Sequence, residues 1–207
     1  FVRRMWMTDG EGGAVAAIYG PSTATFTTNN GAVTITCETD YPFGETLTFT
    51  ISGDEGASLP LTLRIPAWCS NASVAVNGSP IDIALAAGTF AKLPQAVKSG
   101  DVVTLTLPMT IENKTLEGQG ICFQRGPLLF SYAIPQQMTE DATEYECMHG
   151  KKPDNPDFKC WNITPTGAFN YAYVGDGQDA AYIAAELQPI STIPFDIQDV
   201  TGWIRIR

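Results

Sequence analysis

Between residues 33 and 107 the chain repeatedly alternates an apolar side chain with a polar one, most often threonine, and this pattern admits little besides half-buried β-strands. Leu47, Phe49 and Ile51 alternate with Thr46, Thr48 and Thr50; Leu61, Leu63 and Ile65 with Thr62 and Arg64; Val103, Leu105 and Leu107 with Thr104 and Thr106. Val33, Ile35 and Cys37 repeat the scheme. A period of two puts every apolar member on one face of a pleated ribbon, and β-branched threonine suits the other, wet face. Antiparallel strands with one buried side follow. Val74 and Val76 lead into Asn77-Gly78, a pair that favours a tight hairpin turn, with Ile81 and Ile83 as the expected return strand.

Turn formers at Gly20-Pro21, Tyr41-Pro42, Gly53, Pro66, Pro80, Gly88, Gly100-Asp101 and Pro108 are spaced as a sandwich or jelly roll requires. Helical periodicity is nearly absent, and the one short candidate, Asp179 to Leu187, fits a strand better. After Pro108 the texture changes. An apolar stretch from Pro127 to Ile134 precedes an acidic segment from Gln136 to Glu146, a turn-rich loop from His149 to Asp157 and an expected strand from Phe169 to Val174. The expectation is an all-β chain of two β-sandwich, jelly-roll-like halves, residues 1–110 and 111–207. The chain opens at Phe1 without an initiator Met and ends within a strand-like run at Trp203 to Arg207, so a piece of a longer protein with a truncated second half is expected.

Composition narrows the partners. The 207 residues hold 22 acidic and 12 basic side chains, a net charge of -10, which disfavours nucleic acid and anionic membrane surfaces. No apolar run approaches the roughly 18 residues that would span a bilayer. Five cysteines, Cys37, Cys69, Cys122, Cys147 and Cys160, are an odd number, so a complete disulfide framework is excluded. The N-terminus carries no readable export signal; a periplasmic or secreted setting is preferred to the cytoplasm.

Chemistry is sparse in the pattern. The single histidine, His149, lies in the turn-rich loop, and with Cys147 and Cys160 it offers three zinc-type ligands without the paired Cys-x-x-Cys spacing of structural sites; a Cys147 to Cys160 disulfide and two free thiols are the competing readings. Carboxylates for glycoside chemistry are plentiful, among them Asp40, Glu112, Glu117, Glu144, Glu146 and Asp176, but none sits in a motif that pairs it with another. The glycine-rich runs at Thr8 to Gly13 and Gly175 to Gly177 lack the lysine of a phosphate cradle and read as turns. Asn71, Asn113 and Asn162 head Asn-x-Ser/Thr triplets. Aromatic residues beside amides, Trp161, Asn162, Asn170 and Tyr171, have the composition of a loop surface that stacks on a sugar ring and bonds its hydroxyls, although an indole plugging the end of a sandwich has the same signature.

An ordered set of motifs runs through these strands: Tyr41-Pro42-Phe43, Leu61-x-Leu63-Arg64-Ile65-Pro66-x-Trp68-Cys69, Val74-x-Val76-Asn77-Gly78, Gly100-Asp101 leading to Leu107-Pro108-Met109, and Gln124-Arg125-Gly126-Pro127-Leu128. In this order they resemble the C-terminal β-sandwich region of the DUF1680 family, the glycoside hydrolase family 127 group, whose members include β-L-arabinofuranosidases. The resemblance implies a parent in which a helical (α/α)6 barrel holds the catalytic cysteines, a glutamate and a zinc ion. The sandwiches then pack against that barrel, shape its rim or form homo-oligomer contacts. Nothing in this chain matches that catalytic centre, so none of its roles passes to the five cysteines here. Arg64 and Arg125, polar members of apolar strands, are expected to pair with a carboxylate or cover an interface, and Cys69 to be structural. A carbohydrate-binding module and a cell-surface structural domain are the alternatives.

Overall fold

The side chains that alternate in the sequence alternate in space, and the apolar set closes into one core. In the computed structural model, residues 2–116, 120–131, 134–140 and 161–170 are described, with the strand backbones at 181–183 and 203–205. The first strands are β1 (Trp6–Thr8), β2 (Ala14–Ala16), β3 (Ser22–Thr28), β4 (Gly31–Thr39), β5 (Thr46–Gly53), β6 (Ser58–Leu59) and β7 (Leu61–Arg64). They continue as β8 (Ser73–Val76), β9 (Ser79–Pro80), β10 (Phe90–Lys92), β11 (Val97–Lys98), β12 (Val102–Thr106), β13 (Ile111–Leu116), β14 (Gly120–Arg125) and β15 (Leu128–Phe130). The last four are β16 (Gln136–Glu140), β17 (Trp161–Pro165), β18 (Ala181–Ile183) and β19 (Trp203–Arg205).

The fold is all-β and sandwich-like. A six-stranded sheet, β3-β4-β5-β12-β8-β9, shares its core with a four-stranded sheet, β1-β2-β7-β10, and the small β11-β6 pair. Among the described strands pairing is antiparallel except between β2 and β7, which run parallel. Register aligns the alternation: Ile35 lies opposite Ile51, Cys37 opposite Phe49, and Leu47 opposite Leu105. The six-stranded sheet supplies the large members, Ile35, Leu47, Phe49, Ile51, Val103 and Leu105, and the four-stranded sheet supplies Leu61 and Leu63 with the small Ala14, Ala16 and Ala91. Trp6 packs edge-on against both Phe26 and Phe49, at centroid distances of 6.0 and 5.9 Å. Opposite this core, threonines pair across strands, Thr25 with Thr34 at 2.9 Å and Thr23 with Thr36 at 3.3 Å.

The return strand after Asn77-Gly78 is shorter than expected. It stops at Pro80, whose missing N–H ends the ladder, apart from one further bond from Ile81 N to Val74 O. Ile81, Ile83 and Leu85 still alternate onto the core without being strand. Their periodicity is that of an extended segment lying across the sandwich, which sequence does not separate from a paired strand.

Contacts divide the chain into two units, Phe1–Phe130 with Asp179–Arg207, and Ser131–Gln178. In the first, β13, β14 and β15 form a three-stranded antiparallel sheet, and β18 pairs with β19. In the second, β16 and β17 form a two-stranded ribbon. The described strand here is Trp161–Pro165; of the expected strand Phe169 to Val174, Phe169 and Asn170 lie outside any strand and residues 171–174 fall outside the described residues. Among the described residues no helix is long and apolar enough to cross a membrane.

Phe49 is fully buried at the centre of this core. Phe49→Ala is expected to lower unfolding stability by about 3–5 kcal/mol in urea titration, whereas Thr25→Ala on the opposite, wet face changes it by about 0.5 kcal/mol or less.

Candidate functional site

Trp161 and Asn162, expected on a loop, sit in strand β17, and that decides which of them can act together. Along a strand neighbours point to opposite faces. Trp161, Ile163 and Pro165 therefore share one face of the ribbon with their cross-strand partners Glu140, Met138 and Gln136, while Asn162 and Thr164 share the other with Thr139 and Gln137. Ile134, Gln136, Ile163, Pro165 and Phe169 line a shallow, largely apolar depression on the Trp161 face. Trp161 and Phe169 remain 45% and 62% exposed. Asn170 is exposed beside Phe169, and Tyr171 lies outside the described residues. The ribbon thus brings together aromatic and aliphatic side chains with one amide, Gln136, which the sequence did not single out. It does not bring Asn162 to the Trp161 face.

The motif residues of the first unit do something different, since their polar atoms bond to one another. Asn77 holds a positive φ of 52° at the hairpin turn. Its Nδ2 donates to Asp101 Oδ1 at 2.9 Å, its Oδ1 accepts from Val102 N at 2.8 Å, and Asp101 Oδ2 accepts from Lys98 N at 2.9 Å. The Asn77-Gly78 and Gly100-Asp101 motifs, distant in sequence, are two halves of one lock. Its hydrogen bond from Asn77, with that from Lys98 N, holds the Asp101 carboxyl below the usual carboxylate range.

A second lock joins Tyr41-Pro42-Phe43 to the Gln124 to Leu128 motif. Arg125 is 9% exposed, and its Nη2 donates to Glu45 Oε1 at 2.6 Å while Nη1 donates to Phe43 O at 3.2 Å. The same Glu45 oxygen accepts from Met109 N at 3.1 Å. Gly126, at φ 54°, leaves room for Met109, whose Sδ would lie 2.6 Å from any added Cβ. Arg125 thereby meets the expectation of a carboxylate partner. Arg64 does not: among the described residues it makes no ion pair, and its Nε is buried without a hydrogen-bond partner.

The buried tyrosine Tyr19 donates its hydroxyl to Arg64 O at 2.6 Å and packs edge-on against Tyr41. Burial raises the pKa of both phenols, and the nearby Arg64 guanidinium acts in the opposite sense. Cys69 is fully buried with its thiol toward Pro108 O at 3.9 Å, and burial pushes the Cys37 thiol up to about 11. Neither is poised as a thiolate. Asp40 is exposed in a turn, and Glu112 is exposed beside Lys114. Glu117, Glu144, Glu146, Asp176, Cys147, His149 and Cys160 fall outside the described residues. Among the described residues no three His, Cys, Asp or Glu side chains converge, so the donor set of a zinc site is not assembled there.

Comparison with known proteins falls on the same unit. Residues 13–109 match the family model for the beta-L-arabinofuranosidase, GH127 middle domain. Four of the five ordered motifs lie in this range, and Gln124 to Leu128 lies beyond it. No curated protein matches. A solved glycoside hydrolase is 29% identical, over 57% of this chain and 21% of its own, with a TM-score of 0.52. A GH127 β-L-arabinofuranosidase from Geobacillus stearothermophilus T6 is 20% identical, over 79% of this chain and 31% of its own, with a TM-score of 0.55. A further GH127 β-arabinofuranosidase is 17% identical, over 74% of this chain and 28% of its own, with a TM-score of 0.50. The two less identical structures share the fold. The chain spans a third or less of the length of all three.

The Asn77 to Asp101 lock has a pH signature. A carboxyl whose pKa is depressed by folding stabilises the native state above its unfolded pKa of about 3.9 and loses that contribution as pH falls through the folded value. Asp101→Asn is therefore expected to lower stability at pH 7 and to flatten its dependence on pH below about 4, read by denaturation at a series of pH values.

Proposed function

We propose, starting from the GH127-type middle domain formed by residues 13–109, that this chain is the non-catalytic β-sandwich portion of a glycoside hydrolase of the β-L-arabinofuranosidase kind. In this reading a separate helical barrel does the chemistry, with the zinc ion, nucleophilic cysteine and glutamate that the family resemblance implies. The sandwich holds that barrel in shape. One observation carries the reading: the polar side chains of the motif residues Asn77, Asp101 and Arg125 bond within the fold. Asn77 serves Asp101 and Val102, Glu45 serves Arg125 and Met109, and Tyr19 serves Arg64 O. Side chains so engaged set strand register and join two sheets; a nucleophile or general acid instead needs an accessible atom within reach of substrate.

Release of L-arabinose from a β-L-arabinofuranoside, assayed with this chain and with the longer enzyme side by side, tests the reading. Activity in the longer enzyme alone is expected. Release by the isolated chain would overturn the non-catalytic assignment.

The exposed Trp161 and Phe169 favour one second reading, a glycan contact on the Trp161 face of the ribbon; of the residues expected to share it, Asn170 lies beside Phe169, Asn162 faces the other way and Tyr171 falls outside the described residues. An aromatic face stacks on the apolar face of a sugar, and Gln136 beside it can bond a hydroxyl. Titration with arabino-oligosaccharides distinguishes the readings: a scaffold shows no saturation, whereas a glycan site saturates and loses at least ten-fold in affinity on Trp161→Ala.

A further inference from the structure

The two outer faces of the first sandwich have opposite characters. The strands of the six-stranded sheet contain no Lys or Arg, and their outer face presents threonine hydroxyls. It is a surface finished for water. On the four-stranded sheet, register sets Met7, Val15, Thr62 and Lys92 in one row across β1, β2, β7 and β10, with Arg64 opposite Phe90 two residues further along. Met7 is 47% exposed and Phe90 56%, and Val2, which leads into β1, is 75% exposed. These are all the exposed large apolar side chains among the described residues of 2–110.

Charge is gathered there as well. Arg3 and Arg4 lie in the short 3-10 turn that enters β1, and with Arg64 they make no ion pair among the described residues of this acidic chain. Lys92 at the rim is already neutralised by Glu11 at 3.0 Å. Arg64 is half-buried, and its Nε has no hydrogen-bond partner.

We infer that the outer face of the four-stranded sheet is the surface by which this chain docks onto the rest of its parent enzyme, and that the docked surface offers apolar groups to Met7 and Phe90 and carboxylates to Arg3, Arg4 and Arg64. The inference rests on the proposed function and names the partner face within it. Three observations support it: the exposed Met7 and Phe90 lie on one sheet with Arg64, which makes no ion pair among the described residues, and Val2, Arg3 and Arg4 lead into its first strand; the strands of the opposite sheet hold no exposed large apolar side chain and no arginine; and the related structures extend far beyond the part this chain covers. Aromatic and aliphatic anchors interspersed with arginine are the composition of a protein interface.

Cysteine footprinting tests it at exposed positions that leave the core intact. Phe90→Cys and Thr25→Cys are made both in this chain and in the longer enzyme, and maleimide labelling rates are read by peptide mass spectrometry. The expected result is that Cys at 90 labels at least ten-fold more slowly in the longer enzyme, while Cys at 25 labels equally in both. Adding Arg3→Glu and Arg4→Glu to the longer enzyme is expected to restore labelling at 90. Equal labelling at 90 in both proteins, or protection at 25 instead, would overturn the docking face; unchanged protection after the charge reversal would overturn its acidic partner. Protection at 90 in a longer enzyme that releases no arabinose would leave the docking face standing and remove the arabinofuranosidase reading.

Discussion

The structure depends on one constraint: the inward side chains of β4, β5 and β12 are too large and too apolar to stand alone, and one further layer must cover them. Ile35, Leu47, Phe49, Ile51, Val103 and Leu105 are all shielded from solvent. Each such burial is worth about 1.5–3 kcal/mol, so the second sheet is a thermodynamic requirement and not an ornament. Ala14, Ala16 and Ala91 on the covering sheet then make sense. Small side chains there complement bulky ones opposite and let the interior reach native density without strain.

Burial alone does not set register, because a slide of two residues along a Thr-and-apolar repeat keeps every apolar side chain inside. The polar locks remove that freedom. Asn77 and Asp101 fix β12 against the β8 hairpin, and Asp54 Oδ2, accepting from Ala32 N at 2.8 Å, fixes the end of β5 against β4. Glu45 and Arg125 do the same between the sandwich and the sheet that follows it. Misalignment of this pair would leave a buried guanidinium without its carboxylate, a strong penalty that makes the half-buried pair a selector of arrangement.

How much of this was legible follows from the range of each interaction. The strands at 31–39, 46–53, 61–64 and 102–106 were readable because burial imposes a local period. The parallel pairing of β2 with β7 was not, since three-residue β2 carries no signal of its partner. Ile81, Ile83 and Leu85 misled, because alternation reports burial and not pairing. Trp161 and Asn162 misled differently: their composition suggested a loop, and only the β16 partner shows that they face opposite ways. In sequence Arg64 and Arg125 are alike, polar intrusions in apolar strands, and only the structure separates the one with Glu45 beside it from the one without.

That separation bears on how the molecule is organised. Both arginines start from the same problem, a guanidinium that cannot lose its charge on a largely apolar surface. Arg125 is answered within the chain, by Glu45, the Phe43 carbonyl and the Met109 sulfur, and it sits where two sheets of this chain meet. Arg64 is not answered in this way: among the described residues it makes no ion pair and its buried Nε has no hydrogen-bond partner, and it sits beside Phe90 on the face where apolar groups remain in water. A residue type used at one junction to join two layers, and left incomplete on a second apolar face, marks that face as the next junction. The wet threonine face supplies the contrast: Thr23 bonds to Thr36 and Thr25 to Thr34, and the face carries no arginine and no exposed large apolar side chain.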